Sequence, residues 1–283
     1  MARLDVGEVM AELEEGADLT ALDLADVIAR GARVGVSPAS SLCQLAEVAA
    51  GLDICRQAVG ASRWKALWKI FLAALEASPA DGDVLMCAGR IALQQAQLEE
   101  RDGSRRKVLR AAQNLAQQAI EVAPDAVAPR LLRGRILYED EEADLQHALA
   151  DFRTAVSAQP EHALSQAFLG HALLAAGDCS AACEAFAAVE RTHTTLTESE
   201  RWRRLWAREH HGMALLELGQ DDAAEAVFAE LVAKLLSSVQ GGEIDWEERL
   251  GLYEPELLFD LVESGDLPAL APLVRELRHA MIS

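Results

Sequence analysis

The sequence predicts an all-α protein, an α-solenoid in which helix pairs stack one on the next, and three recurrences carry that prediction. Pro79, Pro124 and Pro160 are each followed ten residues later by a glycine, Gly89, Gly134 and Gly170, inside an apolar Ala/Leu-rich pattern of helical period. Ala74, Ala119 and Ala155 lie five residues ahead of the prolines, and Phe71, Ala116 and Phe152 lie eight residues ahead. These intervals have one physical reading. A small residue in a leading helix admits a close neighbour, an alanine and an aromatic on the following helix fill the space, and proline ends that helix.

Residues 1–38 are expected to form an N-terminal helical extension, with short helices over about 5–15 and 20–32 broken at Gly16 and between Gly31 and Gly35. Ser37 and Pro38 then cap and open a helix over about 39–59. The repeat domain covers 39–238, with units starting near 48, 82, 127, 163 and 205. The first is degenerate, with Cys55 in the glycine place. The second has an extra polar stretch, Gln97 to Lys107, which reads as helix extension plus loop. The third has an acidic inter-helix turn from Glu139 to Asp144. The fourth is the most regular, with Gly170, a turn at Gly177, Ala182 and Phe186, followed by a Thr-rich linker from Thr192 to Thr197. Thr197 and Glu200 form a capping box that starts a long helix. The fifth unit has Gly212, a turn at Gly219, Ala224, Phe228 and Leu231. Residues 239–283 read as C-terminal capping helices, about 245–252, 255–264 and 267–281, whose apolar face comprises Leu257, Leu258, Leu261, Leu270, Leu273 and Leu277.

Half of the 283 residues are hydrophobic and only 5% aromatic, a composition that packs helix on helix. The net charge of −20 opposes binding to nucleic acid or to an anionic membrane. The charge is uneven: residues 1–30 carry eight acids and two arginines, whereas residues 82–135 carry nine Arg or Lys against six acids. Four lysines against twenty-two arginines, with the alanine load, suggest a GC-rich bacterial genome. No apolar run approaches the roughly 20 residues needed to insert in a bilayer, and the N-terminus lacks a signal-peptide layout, so a cytoplasmic location is expected. Cys43, Cys55, Cys87, Cys179 and Cys183 fall in helical patterns, as reduced core residues do.

This pattern resembles the tetratricopeptide repeat, a helix-turn-helix unit of about 34 residues, over residues 48–236 and most closely over 82–190. The resemblance implies a non-catalytic scaffold or adaptor whose leading helices line a concave groove for a peptide segment or helix of a partner protein. In that family, ligands usually meet the second, fifth, ninth, twelfth and thirteenth places of each unit. The ninth place here is Arg90, Arg135 and His171, then Met213; the fifth is Met86, Leu131 and Ala167; the twelfth is Leu93, Tyr138 and Leu174. The expected partner-binding residues are therefore Arg90, Arg135, His171, Met86, Leu131 and Tyr138. They would form a basic ladder among apolar neighbours, matched to an acidic segment because guanidinium offers carboxylate a two-pronged fork. The plainer reading pairs both arginines with Asp83, Gln94 or Glu139, leaving them only to solubilise the face. The lysine and asparagine clamp of chaperone-binding members has no counterpart at those places.

Arg201, Arg203, Arg204 and Arg208 surround Trp202 and Trp206, a spacing that packs the rings on one helix face with arginines reaching outward, or else makes a docking patch. Cys179 and Cys183 with His193, His210 and His211 do not have zinc-motif spacing, and no phosphate loop or nucleophile elbow is present, so no catalytic residue, metal or cofactor is expected. The alternative to groove binding is a specialised chaperone or regulatory subunit that holds a basic partner on its acidic surfaces.

Overall fold

Proline and glycine set the element boundaries. The computed structural model describes residues 75–76, 79–99, 101–192, 198–240 and 256–282, and every element among them is helical. These are α1 (Gly82–Leu98), α2 (Asp102–Val122), α3 (Val127–Glu139), α4 (Leu145–Ala158), α5 (Ala163–Ala175), α6 (Cys179–Arg191), α7 (Glu198–Glu217), α8 (Asp221–Gln240), α9 (Glu256–Ser264), a 3-10 turn (Pro268–Leu270) and α10 (Ala271–Ile282). Backbone proximity divides the chain into two compact units, Met1–Asp151 and Phe152–Ser283, with the division inside α4. The extension over 1–38, nearly all of the first repeat, the Thr-rich linker beyond Thr192 and the 245–252 helix lie outside the described residues.

In the first unit, α1 starts on Asp81, whose carboxylate accepts the backbone N–H groups of Asp83 at 2.9 Å and Val84 at 3.3 Å. Within the polar stretch from Gln97 to Lys107, α1 runs to Leu98 and α2 begins at Asp102, so helix extension takes up most of it and Glu99 and Arg101 lie between the two helices. Ala92, Leu93, Ala96, Leu109, Ala112, Ala116, Leu132 and Ile136 form one core across α1, α2 and α3. Arg133 on α3 ties neighbouring helices together: its Nε and Nη2 donate to the Asp151 carboxylate at 2.7 and 2.6 Å, and Nη1 donates to Gln117 on α2. The Asp151 bonds, ahead of its charge, push the guanidinium pKa further up despite the opposing effect of burial.

The second unit displays the glycine logic in its simplest form. A Cβ placed on Gly170 would meet the Phe186 ring at 2.6 Å, and one on Gly212 would meet the Phe228 ring at 2.5 Å. Both rings are fully buried. Each glycine thus gives the facing phenylalanine the space in which it sits.

The turns after α5 and α7 are closed alike. Gly177 and Gly219 have φ of +79° and +68°, and their N–H groups donate to Leu174 and Leu216 at 2.9 and 2.8 Å. The following N–H groups reach back to Leu173 at 3.0 Å and Leu215 at 2.9 Å, which satisfies carbonyls that the helix end leaves open. Nothing lies within 4 Å of a Cβ built on Gly177. The cost of Gly177→Ala is therefore purely conformational, about 1–2 kcal/mol for an L-residue held in the left-handed region. Urea denaturation followed by helical circular dichroism should show that loss without a change in the slope of the transition.

Helix ends at proline are finished by side chains from the next helix. Arg130 donates to the Pro124 carbonyl at 3.1 Å and Gln166 to the Pro160 carbonyl at 3.0 Å, each from six residues downstream. Where the fourth repeat ends without proline, Arg204 donates to the Thr192 carbonyl instead.

The C-terminal helices pack against α8. Leu258, Leu267, Leu270, Val274 and Leu277 join Leu231, Val232, Leu235 and Leu236 in one buried cluster. Leu273, expected on that face, is 37% exposed. Val274 takes the inward place instead: Leu270, Val274 and Leu277 follow the i, i+4, i+7 spacing of one helix face, and Leu273 falls at its edge. Glu209 on α7, 2% exposed, accepts the backbone N–H of Leu258 at 3.1 Å and so closes an open donor in the first turn of α9.

Candidate partner-binding site

Helix α1 packs directly against α3 in the first unit. Met86 and Arg90 lie one turn apart on α1, and Leu131, Arg135 and Tyr138 occupy successive turns of α3. Arg90 is exposed, whereas Met86, Arg135 and Tyr138 are half-buried. Leu131 is only 6% exposed, so it belongs chiefly to the core beneath the stripe. Burial, and then the neighbouring Glu139 charge, raise the Tyr138 pKa. Its phenol is thereby held in the neutral form and available as a hydrogen-bond donor or acceptor.

The end of this stripe is bounded by charge. Glu139 accepts from Gln97 Nε2 at 2.9 Å, and its backbone carbonyl accepts from Arg105 at 3.2 Å. Arg105 also lies 3.9 Å from Glu141, and Arg106 pairs with Glu142. The basic start of α2 is thus latched to the acidic turn between α3 and α4 around a recess of about 90 Å³. Both segments stand out in the sequence; their pairing does not, since 34 to 36 residues separate the partners.

His171 is in the second unit, and its surroundings differ from those of Arg90. The ring is 2% exposed and stacks on Trp206 of α7, with centroids 3.4 Å apart and planes 26° apart. Phe186 and His210 approach edge-on at 5.1 and 4.4 Å. Desolvation, reinforced by His210 and Arg203, holds the His171 pKa well below the imidazole norm, so the ring is neutral and adds no surface charge near neutral pH. The signal in the sequence was Trp206 itself, an aromatic on the next leading helix large enough to cover the ninth place of the unit before it.

Of the arginines around Trp206, Arg203 and Arg204 are half-buried and Arg208 is buried, so none of these three simply reaches outward. Arg203 lies over the Phe168 ring at 4.8 Å and the Trp206 ring at 5.9 Å. Arg208 is buried, bonded to Glu190 of α6 and 3.8 Å from Glu230 of α8. It joins three helices as Arg133 does in the first unit. A further surface, which the repeat register did not indicate, is an open recess of about 370 Å³ lined by Leu169 and Leu173 with Arg153, Arg191 and Glu184, so its charge is mixed. Its residues come from three helices, so no single helical period reveals it.

Cys87 is buried, and Cys179 and Cys183 are partly buried. Burial, then Cys179, raises the Cys183 pKa, which lowers its thiolate fraction and reactivity. No group of three or more potential metal ligands occurs among the described residues, and no described helix is long and apolar enough to cross a membrane.

No protein-family model and no curated protein matches the chain. Among solved structures, a thermophilic TPR protein of Thermus thermophilus matches over 74% of this chain and 96% of its own, with 16% identity and a TM-score of 0.53. MamA from Desulfovibrio magneticus RS-1 matches over 68% of this chain and 98% of its own, with 19% identity and a TM-score of 0.45. The helix pairs, the glycine-phenylalanine contacts and the first of these matches lead to one conclusion: the chain has the all-α fold of tetratricopeptide-repeat proteins.

Proposed function

We propose that the protein is a non-catalytic interaction module that binds an acidic peptide segment or helix of a partner protein along α1 and α3. The observation that carries this reading is the juxtaposition of two leading helices, each offering an arginine at the same turn beside an accessible apolar side chain: Arg90 with Met86, and Arg135 with Tyr138. The apolar stems contribute affinity, and the guanidinium groups select carboxylates over other ligands. Leu131 supports the stripe from below. His171, enclosed and neutral, takes no direct part in that charge selection.

The test uses a photoreactive residue at position 86 or 138 to trap the partner in native lysate, with and without Arg90→Glu and Arg135→Glu. Charge reversal at both positions is expected to cut the crosslinked yield at least tenfold, equivalent to about 1.4 kcal/mol or more of binding free energy. An unchanged yield sinks the reading. Loss of the same partner in salt, without sensitivity to either arginine, favours a basic partner held on acidic surfaces instead.

A further inference from the structure

The second unit buries a histidine that the proposed binding role does not use. His171 Nε2 is enclosed and has no hydrogen-bond partner. Its ring lies between Trp206 at 3.4 Å and Phe186 at 5.1 Å, and His210 closes the third side at 4.4 Å. His210 is itself fixed, with Nδ1 3.0 Å from the Trp206 carbonyl oxygen. These contacts bring α5, α6 and α7 together at one point. We propose that the His171, Trp206 and His210 cluster is an acid-operated fastener, which clamps α7 onto α5 and α6 while both imidazoles are neutral and loosens it when they take up protons.

The charges around the cluster favour this direction. From α7, His171 faces His210 and the Arg203 guanidinium, both of which oppose a positive charge on it. From α6, the neighbouring side chain is the Phe186 ring, while Glu190 is directed to Arg208, His211 and Lys234. From α5 itself, Phe168 meets Trp206 edge-on and lies beneath the Arg203 guanidinium. Among the described residues, no carboxylate is one of the groups that act on His171. A proton on Nε2 would thus create a buried N–H with no acceptor and a cation with no counter-ion. Stacking on Trp206 offers an imidazolium some cation–π attraction, but that is smaller than the hydration it forgoes.

The sign follows from linkage. His171 and His210 both have depressed pKa values in the folded state, chiefly through burial. The open state therefore binds more protons. The stabilisation is complete above the open-state pKa of about 6.5 and is lost progressively as pH falls from there towards the folded values. One such group raises the opening equilibrium by about tenfold per pH unit within that window.

Hydrogen exchange on the full chain tests this, with intrinsic rates corrected between pH 7.5 and 5.5. The α7 amides from 203 to 215 are expected to lose protection below pH 6.5 by about tenfold per unit for each imidazole that takes up a proton on opening, up to about a hundredfold for the two, while α2 amides hold theirs and His171→Phe removes the His171 share of the slope. Unchanged α7 protection down to pH 5.5, an equal loss in every helix, or the full slope retained in His171→Phe overturns the proposal. Should that variant fold poorly, proton NMR of the parent decides: a His171 ring titrating near 6.5 in the folded protein overturns the fastener, and one that titrates only as α7 opens supports it. None of these outcomes depends on the partner-binding stripe of the first unit.

Discussion

Phe228→Ala is expected to destabilise the second unit by about 3–5 kcal/mol, as removal of a fully buried aromatic ring does. The ring lies over Gly212, which has no side chain to relax into the space, so the lost transfer free energy is joined by a persistent cavity. The reverse change should also cost stability. Gly212→Ala drives a methyl to 2.5 Å from the ring, and overpacking of this kind typically costs about 1–3 kcal/mol. Combining Gly212→Ala with Phe228→Leu should then cost less than the two single changes added together, since each relieves part of what the other imposes. Urea midpoints for the four proteins measure this coupling. Strict additivity would mean that α7 and α8 separate freely, contrary to the contact described.

The second large effect is expected at Arg133. Arg133→Met removes both prongs from Asp151, a carboxylate 3% exposed, and the bond to Gln117 with them. Stranding a buried charge costs about 3–5 kcal/mol, and the partial exposure of Arg133 places the expectation near the lower end, about 3 kcal/mol. Arg133→Met combined with Asp151→Leu should recover most of that loss, because no charge is then left in the apolar setting. Thermal melts of the single and double variants distinguish the outcomes. If the double variant is no better than the single, the pair matters for shape and not for charge. By contrast, the exposed Arg106 and Glu142 pair should contribute less than about 1 kcal/mol.

The contrast between these sites explains what was legible in the sequence. Gly170, Gly212, Phe186 and Phe228 were readable because a helix pair is short and its contacts recur at a fixed interval. Gly177 and Gly219 were readable because only a left-handed residue closes such a turn so tightly. The same local logic failed for Arg208, expected to reach outward and found buried, because its partners Glu190 and Glu230 stand on two other helices. It failed for His171 as well: the register correctly assigns the residue to a helix face, but whether that face is open depends on the bulk of the next leading helix. In the first unit the residue in the same place, Arg90, stays exposed. For Leu273 the sequence offered two adjacent apolar residues, and the helical period from Leu270 to Leu277 accepts either; Val274 takes the inward place. The candidate stripe was thus legible as a set of positions, while the accessibility of each position was not.

The bond from Leu258 to Glu209 sets an order of events during synthesis. When α7 leaves the ribosome, the residue whose N–H will meet its buried carboxylate is still 49 positions away. Until then that bond is unmade, and the apolar flank of α8 lacks its cover of Leu258, Leu270 and Leu277. The nascent second unit therefore passes through an interval in which its last repeat is made but not sealed. An encounter with another apolar surface is most harmful during that interval, which ends only when α9 has brought the Leu258 N–H to Glu209 and the 3-10 turn and α10 have laid Leu270, Val274 and Leu277 over α8.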